Sequence, residues 1–291
     1  MVDAVRPTPR PAEQRDAAEL QALKRAHPEL AEAIDLQLDL LGLYRRVQGR
    51  IQVPWIEMSE DRVARHAEEG RPLVAFESIP IDLTDLRLLV RQSAEAMQRH
   101  GLLERSDYDR IQALGRDLGL LVAVGTWYRE TSEAHLTSPS TGPASDHDHH
   151  DASLAQVFTL AMRPFLARCA EALQPRPELS RWTCGHCAAC GGEAELGALT
   201  PEDDRLLVCG RCGLQWRFET GKCPSCANDN RQRLSSFATA DGRYRVDACD
   251  VCRRYVKVVD VRRMKRPVMP TVDAIATLPL DAAALHKGYS S

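Results

Sequence analysis

Nine of the chain's ten cysteines lie between Cys184 and Cys252, and they restrict the fold more than any other feature. They fall as Cys184-x-x-Cys187-x-x-Cys190, Cys209-x-x-Cys212, Cys223-x-x-Cys226 and Cys249-x-x-Cys252. Two cysteines three apart on a tight turn aim both sulfurs at one point but close poorly into a mutual disulfide. Four such pairs supply eight thiolates, enough for two tetrahedral sites of four sulfurs each.

Between the cysteine pairs lie short β-prone pieces at 195–199, 206–208, 214–218, 235–239, 244–246 and 255–261, with turn residues such as Asp241-Gly242 between them. The order is pair, strand, strand, pair, strand, and it occurs twice. Eighteen residues separate Cys190 from Cys209, and 22 separate Cys226 from Cys249; each interval holds a hairpin that brings two cysteine turns together. This groups Cys187, Cys190, Cys209 and Cys212 in one site, and Cys223, Cys226, Cys249 and Cys252 in the other. The rival grouping joins the middle pairs and ranks second, because the outer pairs would then meet over a much longer loop.

Such turns favour a residue of positive φ after the second cysteine, which glycine supplies without strain. Gly191 and Gly213 meet this in the first unit, whereas Ala227 and Arg253 leave the second geometrically less regular. Gly191 also selects Cys187/Cys190 over Cys184/Cys187, so Cys184 is a spare thiol. A bacterial ferredoxin run would need a fourth cysteine at 194, which is Ala. Spacing does not choose between zinc and iron, and a structural zinc pair is the default. Catalytic zinc keeps an open position, and eight paired sulfurs leave none. Thiol–disulfide exchange needs only one such pair.

The 291 residues are 44% hydrophobic and 27% charged, with a net charge of −3 and a pI near 6.3. That balance argues against a dedicated nucleic-acid binder or a membrane-surface protein. No apolar run approaches the roughly 20 residues that span a bilayer, and residues 1–11 lack the apolar core of a secretory signal. Clustered thiols without an export signal fit a reducing cytoplasm. Residues 181–266 carry 16 basic against 11 acidic residues; these cations offset ligated thiolates, since a four-thiolate site keeps −2 with a divalent metal and −1 with Fe(III).

Before the cysteines the grammar is helical. Helices are expected over 12–25, from Pro28 with Leu30, Ile34, Leu38, Leu41 and Val47 on one face, from Ser59 as N-cap, and from Asp82 or Thr84 to His100, ended by Gly101. One further helix carries Ile111, Leu114, Leu118, Leu121 and Val122, weakened by glycines at 115, 119 and 125. A polar loop covers 131–150, and a last helix of about 152–173 is kinked by Pro164. The fold class is therefore α+β, a mainly helical N-terminal domain followed by two tandem rubredoxin-like or zinc-ribbon-like β units. The boundaries are a disordered lead at 1–11, a helical domain at 12–178, units at 179–220 and 221–266, and a tail at 267–291 with one short helix near 281–286.

Several motifs carry a resemblance. Cys187 to Gly191, Cys209 to Trp216, Cys223 to Cys226, the segment from Ala161 through Pro164 to Leu166, and the tail Thr277-Leu278-Pro279-Leu280-Asp281 followed by Gly288-Tyr289 are similar to those of the formate dehydrogenase accessory proteins of the FdhE family. The resemblance implies a cytoplasmic maturation factor that is not itself an enzyme and that acts on the catalytic subunit of respiratory formate dehydrogenase. It also implies rubredoxin-like iron on the eight cysteines, Cys187, Cys190, Cys209, Cys212, Cys223, Cys226, Cys249 and Cys252, and so moves the metal preference from two zincs to two irons. Cys184 is an extra thiol, and the chain stops two residues after Tyr289, where relatives often continue. The alternatives are a zinc-ribbon nucleic-acid-binding accessory protein and a rubredoxin-like electron-transfer protein; the acidic total and the 5% aromatic content speak against the first.

Other features have plainer readings. Asp146 to Asp151, with His147, His149 and His150, reads as a solvated acidic helix cap rather than an accessory metal site. Cys169 is a small buried hydrophobe. Trp55, Trp127, Trp182 and Trp216 are packing residues, the last two covering the first metal site. Arg253-Arg254 and Arg262-Arg263 with Lys265-Arg266 either contact an acidic partner or are solvated.

Overall fold

The computed structural model describes residues 11–134, 146–264 and 266–290, with the side chains of 11–13 and 146–151 excluded. The lead over 1–10, most of the polar loop, and Lys265 lie outside the described residues, as do the side chains of His147, His149 and His150. Helices α1 (Pro11–Ala26), α2 (Ala31–Gln48), α3 (Glu60–Glu69), α4 (Leu83–Arg99), α5 (Arg105–Leu114), α6 (Leu120–Ser132) and α7 (Asp146–Leu173) precede the cysteines. The Ser59 hydroxyl accepts from the Arg62 amide and the Asp82 carboxylate from the Asp85 amide, so both helix starts are satisfied by their caps.

The helix expected through Leu118 is two helices. The backbone breaks at 115–119, where the Asp117 carboxylate accepts from the Gly119 amide and Leu118 is 89% exposed. Gly115 lies hard against α4: a Cβ there would sit 2.6 Å from Arg91 Cγ. α7 begins at Asp146, earlier than the periodicity alone predicts, because its first turn is polar, and it runs through Pro164. Trp55 is 84% exposed, so it is not a packing residue, whereas Trp127 packs edge-on against Phe158.

Among the described residues six strands follow: β1 (Ala194–Leu199), β2 (Arg205–Cys209), β3 (Gln215–Arg217), β4 (Leu234–Ala238), β5 (Tyr244–Cys249) and β6 (Tyr255–Asp260). They form one sheet in the order β3-β2-β1-β6-β5-β4. The pairs within each cysteine unit are antiparallel, and the units are joined by a parallel β1–β6 pairing, Leu196 opposite Lys257 through Leu199 opposite Asp260.

The tail holds two helices, α8 (Pro270–Ala276) and α9 (Leu278–His286), each with proline at its start, where a missing amide proton costs nothing. α8 returns to the N-terminal helices, burying Met269, Val272 and Ile275 with Leu20, Ile34 and Leu41. α9 lies on the sheet, where Leu280, Ala284 and Tyr289 pack on Val246, Ala248 and Tyr255. Asp281 accepts from Tyr255 Oη at 2.6 Å and Lys257 Nζ at 2.8 Å, which pairs a lysine only 7% exposed. Among the described residues no helix is long and apolar enough to cross a membrane.

Candidate metal centres

All four cysteine turns close in the same way. The amide four residues after the first cysteine donates back to that cysteine's carbonyl: Gly191 to Cys187, Gly213 to Cys209, Ala227 to Cys223 and Arg253 to Cys249, at 2.9–3.1 Å. The first cysteine's own amide then donates forward to the carbonyl five residues on, at Gly192, Leu214, Asn228 and Arg254. The residue after each second cysteine has positive φ: 67° at Gly191, 76° at Gly213, 58° at Ala227 and 60° at Arg253. The second unit is thus as regular as the first, against the expectation from its sequence. Two backbone hydrogen bonds per turn hold Ala227 and Arg253 where an L-residue sits with strain.

The structure brings Cys187, Cys190, Cys209 and Cys212 together in one cluster, and Cys223, Cys226, Cys249 and Cys252 in another, with the ligand atoms of each within 4.8 Å of one another. Sulfur separations are 3.5 Å for Cys187–Cys212 and Cys190–Cys209, and 3.7 Å for Cys223–Cys252 and Cys226–Cys249. A tetrahedron with metal–sulfur bonds of ~2.3 Å has an edge of ~3.8 Å, and a disulfide would need ~2.05 Å. The spacing therefore fits four thiolates around one ion, and both clusters could hold a metal.

Their electrostatics suit a cation. Burial, the thiol neighbours adding to it, pushes Cys187 and Cys212 well above the usual thiol range. Burial also raises Cys209, but hydrogen bonds from the Cys187, Cys190 and Cys212 thiols prevail and hold it well below. Four dry sulfurs in contact cannot all ionise until a positive ion shares the cavity. Amides at Arg211 and Leu214 point at Cys209 Sγ and Cys212 Sγ, at 3.4 and 3.5 Å, and soften that charge further.

The two clusters differ in cover. The first belongs to the helical core: Cys187, Cys190 and Cys209 are fully buried and Cys212 is 4% exposed. Leu73 and Val74 donate backbone hydrogen bonds to Ala188 and Ala189, at 2.7 and 3.2 Å, and the Tyr128 hydroxyl ties α6 to Val74. Trp182 and Trp216 are both buried here; their indole N–H groups donate to the His186 and Cys184 carbonyls. Cys184 stays outside the cluster, its thiol donating to the Ala67 carbonyl. Cys169 is buried among apolar side chains, and burial pushes its thiol up to about 12. In the second cluster Cys226 is exposed and Cys252 half-buried.

Gly185 is a residue that cysteine spacing does not flag. A Cβ there would lie 2.6 Å from the Pro224 carbonyl carbon and nearer still to its oxygen, so the segment leading into the first cysteine turn presses on the third turn, beside Cys223. The arginines left open as either partner contacts or solvated positions make contacts within the chain. Arg253 donates to the Lys287 and Gly288 carbonyls and stacks 4.1 Å over Tyr289. Arg254 pairs with Glu193, Arg262 with Asp260 and Asp203, and Arg266 with Asp273.

This architecture has known counterparts. An FdhE homologue from Shewanella oneidensis is 27% identical over 278 residues, covering 92% of this chain and 85% of that protein. The crystal structure of the FdhE protein from Pseudomonas aeruginosa superposes with a TM-score of 0.60 at 16% identity, covering 98% of this chain and 94% of that one. The chain is similar to FdhE proteins along nearly its whole length. An FdhE homologue from Aquifex aeolicus is 28% identical over 117 residues, a match that spans 41% of its length. No family profile matches the chain.

Proposed function

We propose that this chain is an accessory factor of formate dehydrogenase that binds the enzyme's catalytic subunit in the cytoplasm. In this reading it holds two iron ions, one on Cys187, Cys190, Cys209 and Cys212 and one on Cys223, Cys226, Cys249 and Cys252, and contributes no active site of its own. The single observation that carries the reading is the similarity to the Shewanella FdhE homologue across 92% of the chain. The geometry supports it: two closed four-sulfur clusters offer no open coordination position for a substrate.

Co-purification tests the reading. Tagged protein should retain formate dehydrogenase catalytic subunit, and deletion of the gene should abolish formate oxidation; failure of both sinks it. Metal analysis with an optical spectrum on anaerobically purified protein tests the iron. Two irons with thiolate-to-Fe(III) absorption are expected, and two colourless zincs would remove iron but leave the scaffold role. Electron transfer is a second reading, favoured by the exposure of Cys226; it requires a reversible one-electron couple at the second site.

A further inference from the structure

The β4–β5–β6 half of the sheet has one covered face and one open face. Helix α9 covers the first, with Tyr255 and Lys257 turned toward Asp281. Residues directly opposite across an antiparallel ladder share a face. Leu234 lies opposite Cys249, and Ser236 and Val256 both lie opposite Asp247, which places them together on the second face. That face floors a cavity of about 430 Å³, walled by the 220–225 turn leading through Cys223 and by Arg205 of β2. No α-helix contributes to its lining.

Cations dominate the cavity: Arg205, Lys222, Arg231, Arg245 and Arg254 surround a single carboxylate, Asp247. Part of that charge is answered within the chain, Lys222 by Glu219 at 3.6 Å and Arg254 by Glu193. Arg205 and Arg245 share Asp247, at 3.8 and 2.9 Å, and Arg231 has no ion pair among the described residues. Two guanidinium charges are left over. Arg205 is 5% exposed; its Nη1 donates to the Lys222 carbonyl at 2.7 Å, and its Nε has no partner. The Arg205 guanidinium also stacks 5.7 Å over the Phe218 ring, so it is a fixed cation at the cavity wall.

The ligand class follows from charge, size and position. Cys223 and Cys249 stand in the wall, and a loaded four-thiolate centre contributes −1 or −2. Against two surplus cations this leaves at most one net positive charge, a match for a carboxylate and a poor one for dianionic phosphate. The volume exceeds what a bare small anion fills, and Leu234, Pro224 and Val256 give it an apolar side. β4 is also the last strand of the sheet, so its outer backbone is open to an extended peptide. We infer that this cavity binds an acidic segment of a partner polypeptide, seating one carboxylate among Arg205, Arg231 and Arg245 with an apolar neighbour on Leu234 and Val256. As a client-docking point it rests on the accessory reading above; as a carboxylate pocket it stands without it.

The test uses the full chain with diamagnetic zinc in place of iron at both sites, so that resonances beside the second site stay visible, and no formate dehydrogenase, so its failure and that of the accessory reading are separable. N-acetyl-leucyl-glutamyl-leucine amide is titrated against backbone-amide and arginine Nε–H resonances, with the glutamine analogue, formate and inorganic phosphate as parallel titrants. Saturable shifts are expected at Ser225, Ser235, Ser236 and Arg245, with the glutamine analogue about tenfold weaker. Arg231→Gln and Arg245→Gln should each weaken the glutamate peptide several-fold, with the rest of the spectrum unmoved as the check on folding. Equal binding of the two peptides, or no saturable shift, overturns the proposal. Tighter binding of phosphate or formate than of the glutamate peptide also overturns it, by assigning the cavity to a free anion.

Discussion

Gly191 and Gly213 occupy equivalent places after the second cysteine of their turns, with φ of 67° and 76°, yet alanine should be tolerated very differently at the two. At Gly213 nothing lies within 4 Å of a built Cβ, so Gly213→Ala carries only left-handed backbone strain, about 1–2 kcal/mol. At Gly191 the same strain applies, and the Cβ would also sit 2.8 Å from the Ser132 carbonyl carbon and closer still to its oxygen. Both partners there are backbone at the end of α6, so relief requires moving a helix end, at about a further 1–3 kcal/mol. Gly191→Ala should therefore cost about 2–5 kcal/mol in all. At roughly 2 °C per kcal/mol for a chain of this length, melting of the metal-loaded protein should fall by about 2–4 °C for Gly213→Ala and about 4–10 °C for Gly191→Ala. Ala227→Gly, which relieves the strain at φ 58°, should raise stability by up to about 1 kcal/mol. Equal losses at the two glycines would refute the assignment of Gly191 to a close approach, and a loss at Ala227→Gly would refute the strain.

Chelator challenge should release the metals in two phases, the second site first, because Cys226 is exposed while the first site is buried throughout. Cys226→Ser should remove only the fast phase, and a single phase would count against the asymmetry. Asp281→Ala strands Lys257, 7% exposed, and the Tyr255 hydroxyl, so denaturant unfolding should register a loss of about 3 kcal/mol; a loss under about 0.5 kcal/mol would place the tail's hold elsewhere. The Cys169 thiol titrates from an ordinary value of 9.0 and is pushed up to about 12 by burial and then by the neighbouring Cys190. A raised folded-state value means stability that is whole below the unfolded value and lost as pH rises through 9 toward 12. Cys169→Ala, destabilised by its small cavity at neutral pH, should lose less than the parent over that window. Denaturation midpoints against pH would show the gap narrowing, and a constant gap would refute the burial argument.

Local chemistry was legible in the sequence and distant pairing was not. The Ser59 and Asp82 caps and the cysteine turns each depend on residues within five positions, and all six strands fall within a few residues of the β-prone pieces. The break at 115–119 was hidden because Leu118, Leu121 and Val122 continue an apolar period although all three are exposed. The close approach of Gly115 to Arg91 adjoins the break. The parallel β1–β6 pairing leaves no local mark at all, since its partners are some sixty residues apart. The tail motif Thr277 to Asp281 was visible as a resemblance, but its use, a carboxylate delivered to a buried lysine, required the fold. Glycine preference misjudged Ala227 and Arg253 for a physical reason: about 1–2 kcal/mol of strain is readily outweighed by two backbone hydrogen bonds and four converging sulfurs.

The four turns share one geometry, but the two clusters stand in different surroundings. The first cluster shares one core with the helices and receives backbone hydrogen bonds from Leu73 and Val74, so an ion there would fasten helical body to sheet. The second stands at the sheet's outer half, pressed at Pro224 by Gly185 of the segment leading into the first turn and lining the arginine-rich cavity with Cys223 and Cys249. An ion there sets the charge and shape of that cavity's wall. Metal loss at the second site should therefore alter carboxylate binding before it alters global stability, while loss at the first should do the reverse.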